Sequence, residues 1–589
     1  VAVSYEYDAL GHLLAASRCG VELFRNTVDA DGRVTRTDYP DGTFETVAYD
    51  AMRRPVEMTD RSGRTTTLAY SVGNTVTNQS LAYILPGGGV GMSSRSMRHD
   101  TQLNTREIRN EDFVAVESYA LDANDRVVAV TNAEGQVARM SYELGNRVSS
   151  RTRFDGSEVN YAWNAYGLKE VAYSTFTNMF VRMMDGSLSK ATGPNGAIEY
   201  KYDKFGNVTN VVTEQGGISG EYDFAGDVVR KSWSGGSVTY EYDLAGRVTN
   251  MVWNVAGLML PFGCTYSPTN GAVSRVAFPN SISCETGYDV MDRLSRLTWS
   301  GYVSANSDSR EYSYDNADNI TSIQHDDGRM SDYTYDGLDR LTGESVYSAS
   351  GTMVRLAAQV YDASGNRTAQ AVTENGVMEF RSSMLMPGDR LAEWTSENAS
   401  GAYAVVTNAA YFYAASGCTT GVVSRLSDGT NRTVKYSWTD DYRLDGVDEN
   451  GETMAEYKYD ALGNLVSVGH GAESFEILVD EGHTLADVSE DGTPFRVYMR
   501  GPGVDRWLGF VDLTGGSPIP YFYVTDHLGS VLAVTDASGA VVERYGYDAW
   551  GKVLSVTDSA GQSLARSTIG NRILWQGREY SWATGLYYF

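Results

Sequence analysis

VVERYGYDAWGK, Val541 to Lys552, is the stretch whose reading decides the fold. Tyr545 and Tyr547 stand two apart, so on a strand they share one face. Asp548 follows at once and Gly551 comes three residues later, which reads as a strand running into a tight turn. The pattern Tyr-x-Tyr-Asp-x-x-Gly is the unit. Looser copies of it run through the whole chain, so the protein is first of all a repeat protein.

The copies can be followed in order. Tyr5, Tyr7, Asp8 and Gly11 open the chain. Tyr200, Tyr202, Asp203 and Gly206 are followed by Tyr222, Asp223 and Gly226, then by Tyr240, Tyr242, Asp243 and Gly246, so the Tyr-Asp pairs fall 20 residues apart. Ile198, Tyr200 and Tyr202 alternate with Glu199, Lys201 and Asp203, the period of a strand with unlike faces. From residue 251 the spacing loosens, and Tyr312, Tyr314 and Asp315 precede Tyr333, Tyr335 and Asp336. Here Asp292, Asp318 and Asp339 take the place of the turn glycine. Aspartate is among the side chains that best tolerate the left-handed conformation, so the exchange fits the turn. Residues 371–456 carry weaker copies, and the unit resumes at Tyr457, Tyr459, Asp460 and Gly463. Residues 71–118 are irregular. Gly87 to Gly91, followed by MSSRSMRHD, reads as a loop or insertion. It lacks the Lys-Ser/Thr of a phosphate loop.

A unit of about 20 residues fits two strands and two turns. The turn aspartate accepts hydrogen bonds from turn amides, and glycine takes the positive φ that follows. The 589 residues hold 61 glycines and 40 tyrosines but only 12 prolines, a composition of many short strands joined by tight turns. Paired tyrosines suggest rings packed sideways along a sheet, with hydroxyls reaching polar groups, in place of a core of Val, Leu and Ile. A long sheet without a second layer must curl to protect its edges. The expected fold is therefore all-β, a long spiralling antiparallel sheet of hairpins that closes. A β-propeller is the rival, with four strands per blade and a period near 40 in place of 20.

The net charge is −27, with 75 acidic against 48 basic residues, which argues against a nucleic-acid partner and for a soluble surface. Cys19, Cys264, Cys284 and Cys418 are scattered without a C-x-x-C, so neither zinc nor a disulfide framework is expected. No apolar run approaches the ~18 residues of a membrane span. The chain opens in mid-pattern without Met and ends inside a strand-like run, as a segment of a longer protein would.

The run Tyr521 to Ser530 contains Asp526, His527, Leu528, Gly529 and Ser530. With Val541 to Gly551 and GREYSWATGLYY at Gly577 to Tyr588, it resembles the Rhs-repeat-associated core, and the repeats resemble the Rhs/YD-repeat family over most of residues 1–500. The resemblance implies a YD-repeat region at 1–500, an associated core at 501–589, and a β-sheet that spirals into a hollow cocoon. In bacterial members that shell holds a C-terminal toxic domain as cargo and an N-terminal plug or delivery protein is a further partner. The location implied is secreted or cell-surface and bacterial. Animal teneurins use a similar shell in adhesion, which leaves a surface protein with a glycan or protein ligand as the alternative. Many bacterial members carry an aspartyl autoprotease with an Asp-Pro-x-Gly motif. No proline here follows an aspartate, so no protease residue carries over.

No catalytic, cofactor or metal residue is therefore expected in this segment. His527 lacks a placed nucleophile or acid partner. Asp440-Asp441 and Asp445 to Asn450 are acidic turns without an EF-hand pattern. The N-x-S/T triplets at Asn78, Asn207, Asn319, Asn366, Asn398 and Asn431 reflect the frequency of asparagine in turns. The repeated aspartates, Asp548 included, read as turn residues in preference to paired catalytic carboxylates.

Overall fold

The structure is a computed structural model that describes residues 2–84, 89–100, 102, 104–109, 115–301, 308–374, 376–386, 389–398, 406–426, 428–470, 473–503 and 506–589. Among these, a single 50-stranded sheet runs from Val3–Tyr7 to Val553–Asp558, each strand antiparallel to its neighbours in the chain. The two end strands do not pair with each other, so as a ladder the sheet is open. The described residues contain no α-helix, only a 3-10 turn at Trp575–Gly577.

The repeat unit explains its own residues. Asp203 Oδ1 accepts the amides of Phe205 (2.8 Å) and Asn207 (3.0 Å), and Asn207 donates back to Oδ2 at 2.9 Å. Asp243 does the same with Ala245 and Arg247, whose Nε donates to Oδ2 at 2.8 Å. The Arg247 guanidinium then lies 4.4 Å over the ring of Tyr266, and Arg293 and Arg340 repeat the move over Tyr314 and Tyr361. A turn that carries arginine there is thus tied to the tyrosine of the next unit. The turn residue after the aspartate's two neighbours needs positive φ, met by Gly206 at 91° and by Asp292, Asp318 and Asp339 at 63°, 66° and 60°.

The second tyrosine has a separate task. A bulge at each Tyr-Asp end breaks the ladder, as between Lys201 and Tyr202. The tyrosine hydroxyl at that end reaches back to the preceding strand and donates to its first carbonyl. Tyr202, Tyr222 and Tyr242 donate to the carbonyls of Leu188, Val208 and Val228, each at 2.7 Å. Tyr314, Tyr335, Tyr459 and Tyr547 do likewise. Tyr242→Phe is expected to lower stability by about 1 kcal/mol, the worth of one such hydrogen bond, checked by urea unfolding. Hydrogen bonds from the Asn207 side chain, from the Arg247 guanidinium and from the His12 amide hold Asp203, Asp243 and Asp8 below the ordinary carboxylate range. Their folded pKa is depressed, so their contribution is fully present above the unfolded value near 3.8 and is lost as pH falls below it. Circular dichroism should show the sheet holding at pH 5 and losing order below pH ~4.

The turns form two rims, one carrying the Tyr-Asp turns and one the opposite turns. The far rim of an early stretch abuts the Tyr-Asp rim of a stretch about 250–290 residues on. Arg18 pairs with Asp292, Arg61 with Asp318 at 2.8 Å, and Arg64 with Asp339. Farther along, Tyr442 donates to Asp155 at 2.8 Å, Thr175 to Asp440 at 2.7 Å, and Lys231 to Asp480 and Glu481 at 2.8 Å each. The sheet is therefore a strip wound over itself along a seam, with early arginines on late aspartates at its start and the sense reversed where Arg390 meets Glu134 and Tyr442 meets Asp155. Asp292, Asp318 and Asp339 are more than turn-tolerant. They stand where the rim is docked, while the turns at Gly206, Gly226 and Gly246 carry glycine there and leave Phe205, Phe224 and Leu244 exposed. The triple exchange Asp292→Asn, Asp318→Asn, Asp339→Asn removes the three seam pairs and the Arg293–Asp318 pair, partly exposed and worth about 0.2–1 kcal/mol each. A fall in urea midpoint is expected at low salt and should vanish in about 1 M salt.

The expectation of a sheet without a conventional core is corrected. The stretch from Ile218 to Ile323 packs face to face on the stretch from Leu478 to Val541, with Trp253, Phe262, Trp299 and Phe522 among the buried residues. Phe262 and Phe278 meet Phe522 edge-on at 6.1 and 6.2 Å. Tyr312 is buried in this layer, and Tyr240 and Tyr333 pack against it. The first tyrosine of a pair is thus a core residue wherever the strip overlies itself. The reading of MSSRSMRHD as a loop is also corrected. Val90–His99 is a strand paired with Val76–Ile84, because the hairpin array supplies the ladder that the sequence's weak alternation did not announce. Gly87 and Gly88 lie outside the described residues. The ladder continues through 371–456 and past residue 500 to Asp558, where irregular structure begins.

All four cysteines are free. Cys264 and Cys284 flank Val276 from either side, two strands apart, and burial pushes the Cys284 thiol up to about 12.

Candidate functional site

The motifs singled out in the last 70 residues meet in space. The Asp526 turn closes by the amides of Leu528 and Ser530 on Oδ1. Ser530 is fully buried and its Oγ accepts the Gln576 amide at 3.1 Å, while the Val531 amide donates to the Leu574 carbonyl at 3.0 Å. Gly551 has φ +85°, and a Cβ there would fall 2.4 Å from the Trp575 ring. Tyr587 donates to the Gly551 carbonyl at 2.8 Å. The DHLGS turn, the Tyr545-Tyr547-Asp548 unit and the final Tyr587-Tyr588 therefore hold one another, and residues after Asp558 fold back as a segment docked on the sheet.

Two buried polar clusters fix that segment. Glu543 is 0 % exposed and accepts from Ser567 Oγ (2.8 Å), from Thr568 N (2.6 Å) and Oγ1 (2.7 Å), and from Tyr545. Asp487, 1 % exposed, accepts from Tyr498 at 2.9 Å and from Arg572. Arg572 also donates to Glu579 and, at 2.9 Å, to the Tyr498 oxygen. Burial pulls the Arg572 pKa down, but Asp487 and Glu579 outweigh it and hold the guanidinium charged. Burial raises the Tyr498 and Tyr523 hydroxyls far above the phenol range, so both act as neutral donors. Tyr523 donates to Asn571 at 2.8 Å, and Trp507 to the Gly577 carbonyl at 2.8 Å.

Between the docked segment and the sheet lies a cavity of about 970 Å³, lined by Tyr457, Tyr459, Phe475, Arg496, Trp582 and Tyr588 among others. Of its charged groups, Asp487, Arg572 and Glu579 are engaged in the second cluster and Arg496 lies 3.6 Å from Asp487, and no group of metal-ligating side chains occurs among the described residues. The Asp440 turn, considered for calcium, is used instead by Ser174 and Thr175 across the seam. The chemistry that the site carries is locking. Paired carboxylates and guanidinium hold a chain segment inside a sheet.

The sequence reading named Asp526 to Ser530 and the Tyr545 unit but missed Glu543, Asp487, Asn571 and Arg572. Glu543 had a signal, since it shares a face with Val541, Tyr545 and Tyr547 and so puts a carboxylate on the buried stripe. Asp487 sits between apolar neighbours in His483–Val488. Arg572 lies in irregular chain, where no period marks it.

A strip of Tyr-Asp hairpins wound over itself and finished by a docked C-terminal segment defines a class, the β-repeat wall. The model of the RHS protein family matches residues 521–563, and that of the RHS Repeat matches 28–65 and 122–158. The chain is an Rhs/YD-repeat protein. It is similar to the tRNA3(Ser)-specific nuclease WapA of Bacillus spizizenii, 28% identical over 169 residues, and to the tRNA nuclease WapA of Bacillus subtilis, 27% identical over 169 residues. Each match covers 28% of this chain and 7% of the relative. Among solved structures, the TcdB2-TccC3-Cdc42 crystal structure superposes with a TM-score of 0.63 at 12% identity, over 100% of this chain and 36% of that one. The Tc holotoxin pore of Photorhabdus luminescens gives 0.62 at 12% identity, over 100% and 35%. At that identity the likeness shows the fold. No helix of the described residues is long and apolar enough to cross a membrane.

Proposed function

We propose that this chain is the wall of an encapsulating shell that sequesters a C-terminal toxin or effector domain and helps deliver it, with no enzymatic role of its own. The observation that carries the reading is the contraction of the winding. Residues in contact across the strip are 274 apart in sequence at Arg18, 287 at Tyr442 and 226 at Trp299. Within the strip the interval falls further to 193 at Arg355, which faces Asp548, while Tyr457, Trp507 and Glu543 reach the docked segment itself. A strip whose circumference shrinks steadily closes one end of a vessel. Twenty-five strand steps separate Leu13–Arg18 from the Asp292 turn. At about 4.8 Å per step one winding is about 120 Å around, and with a wall about 10 Å thick a circular bore of about 30 Å remains. That is room for a polypeptide segment or a small domain.

Relatives named as tRNA nucleases and a neighbour named as a Tc holotoxin support a cargo of the toxin class and an extracellular setting. The partners on this reading are the chain's own cargo domain and a plug or delivery protein. The test is deletion of everything after Phe589 in the full-length protein. Loss of toxicity with an intact, folded wall supports delivery. A phenotype that survives the deletion favours adhesion through the outer loops.

A further inference from the structure

The DHLGS turn contains a side chain that its fold does not use. Asp526 accepts turn amides, Gly529 supplies positive φ, and Ser530 anchors Gln576. His527 does none of these. Other Tyr-Asp turns carry Ala9, Lys204, Phe224, Leu244 or Ala461 at this position. The His527 ring instead lies edge-on to Tyr312, with centroids 5.1 Å apart, in the packed layer between the late strip and the strand Asp308–Tyr314. Its Nδ1 is shut from water and has no hydrogen-bond partner among the described residues, and the Tyr312 hydroxyl beside it is in the same state.

The charges around the ring come from each element packed there. From the wall strand, Arg310 faces it, 8 % exposed and doubly bonded to Asp308 at 3.1 and 2.6 Å. His325 stands across the ladder from Arg310, 3.6 Å from Asp308. From the next hairpin comes Tyr333, and from the turn itself Asp526. Asp526 is the one carboxylate of the turn, and its Oδ1 is committed to two amides. The turn's neighbour Thr525 is tied to the same wall by the Trp299 indole at 2.9 Å.

We infer that His527 is an acid-operated latch between the end-forming core and the wall. Neutral, it packs on Tyr312 and keeps the turn seated. Protonated, it is a cation beside Arg310 in a site with little water, and the turn lifts. Because Ser530 in that turn anchors the docked C-terminal segment, release of the latch loosens the segment. Burial lowers the His527 pKa, the nearby Asp526 charge opposes this, and Arg310 adds to the lowering. The folded value is depressed, so the latch is fully closed above the unfolded value near 6.5 and weakens as pH falls below it. Acid also leaves Asp308 ionised. Burial raises its pKa, but His325 and Arg310 outweigh that and hold it far below the carboxylate range. Arg310 therefore keeps its partner and its place through this window.

Hydrogen exchange of the folded chain at pH 7.5 and pH 5.0, corrected for intrinsic rates, tests the latch. Peptides covering 308–314 and 526–531 are expected to open about tenfold more at pH 5.0, the size of one pH unit of linkage. In His527→Gln and His527→Phe, each shown to be folded by circular dichroism at pH 7.5, the increase should disappear while the rest of the sheet exchanges as before. No pH response in the unaltered chain overturns the inference. So does a response that persists in His527→Gln, which would assign it to His325 or to the carboxylates.

Discussion

Asp487→Ala is expected to destabilise the docked C-terminal segment by about 3–5 kcal/mol, the cost of stranding a buried charge. The carboxylate is 1 % exposed and is the shared acceptor of Tyr498 and Arg572, with Arg496 at 3.6 Å. Its removal leaves the largely buried Arg496 and Arg572 guanidinium groups with only Asp512 and Glu579 to balance them. Limited proteolysis should then cut within 559–589 at protease levels that spare the unaltered protein, while the early strip, more than two hundred residues away, keeps its resistance. Asp487→Asn keeps the hydrogen-bonding shape but loses the charge, and should fall between the two.

Glu543→Ala is expected to have the second-largest effect, again about 3–5 kcal/mol, by a different route. Glu543 forms no salt bridge among the described residues. It gathers the Ser567 and Thr568 hydroxyls and the amides of Thr568 and Ile569, at 2.6 to 3.3 Å. Alanine leaves these donors buried without acceptors, each costing about 1–3 kcal/mol less whatever water regains. Glu543→Gln retains one acceptor oxygen and should recover part of the loss. Urea unfolding followed by Trp582 and Trp575 fluorescence, both in the docked segment, reads the change where it occurs.

The repeat was legible because its logic is local. Asp203 binds amides two and four residues on, and Gly206 takes the conformation that the turn requires, so spacing alone reports both. The strand faces of the Tyr200 and Tyr240 units followed from alternation for the same reason. The winding was not legible. Arg18 and Asp292 are 274 residues apart, and no period in the sequence ties an arginine on one rim to an aspartate on the other. Asp292, Asp318 and Asp339 were read as turn residues, which they are, without the second role that the seam gives them. The core was hidden similarly. Phe262 and Phe522 belong to different windings, and a single hairpin gives no hint that a second layer will cover it. His527 was weighed as a catalytic base, and its packing against Tyr312 could not be read from the turn.

Both substitutions and the latch concern how the wall ends. The central claim is that the wall encloses something. A density map of the full-length protein by electron cryomicroscopy tests it most directly. The expected map shows a wound β-wall around a bore of about 30 Å, doubled where Ile218 to Ile323 packs on Leu478 to Val541 and narrowing toward the Asp526 turn, with the density that follows Phe589 inside it. A solid particle, or a C-terminal domain standing outside the wall, would contradict it.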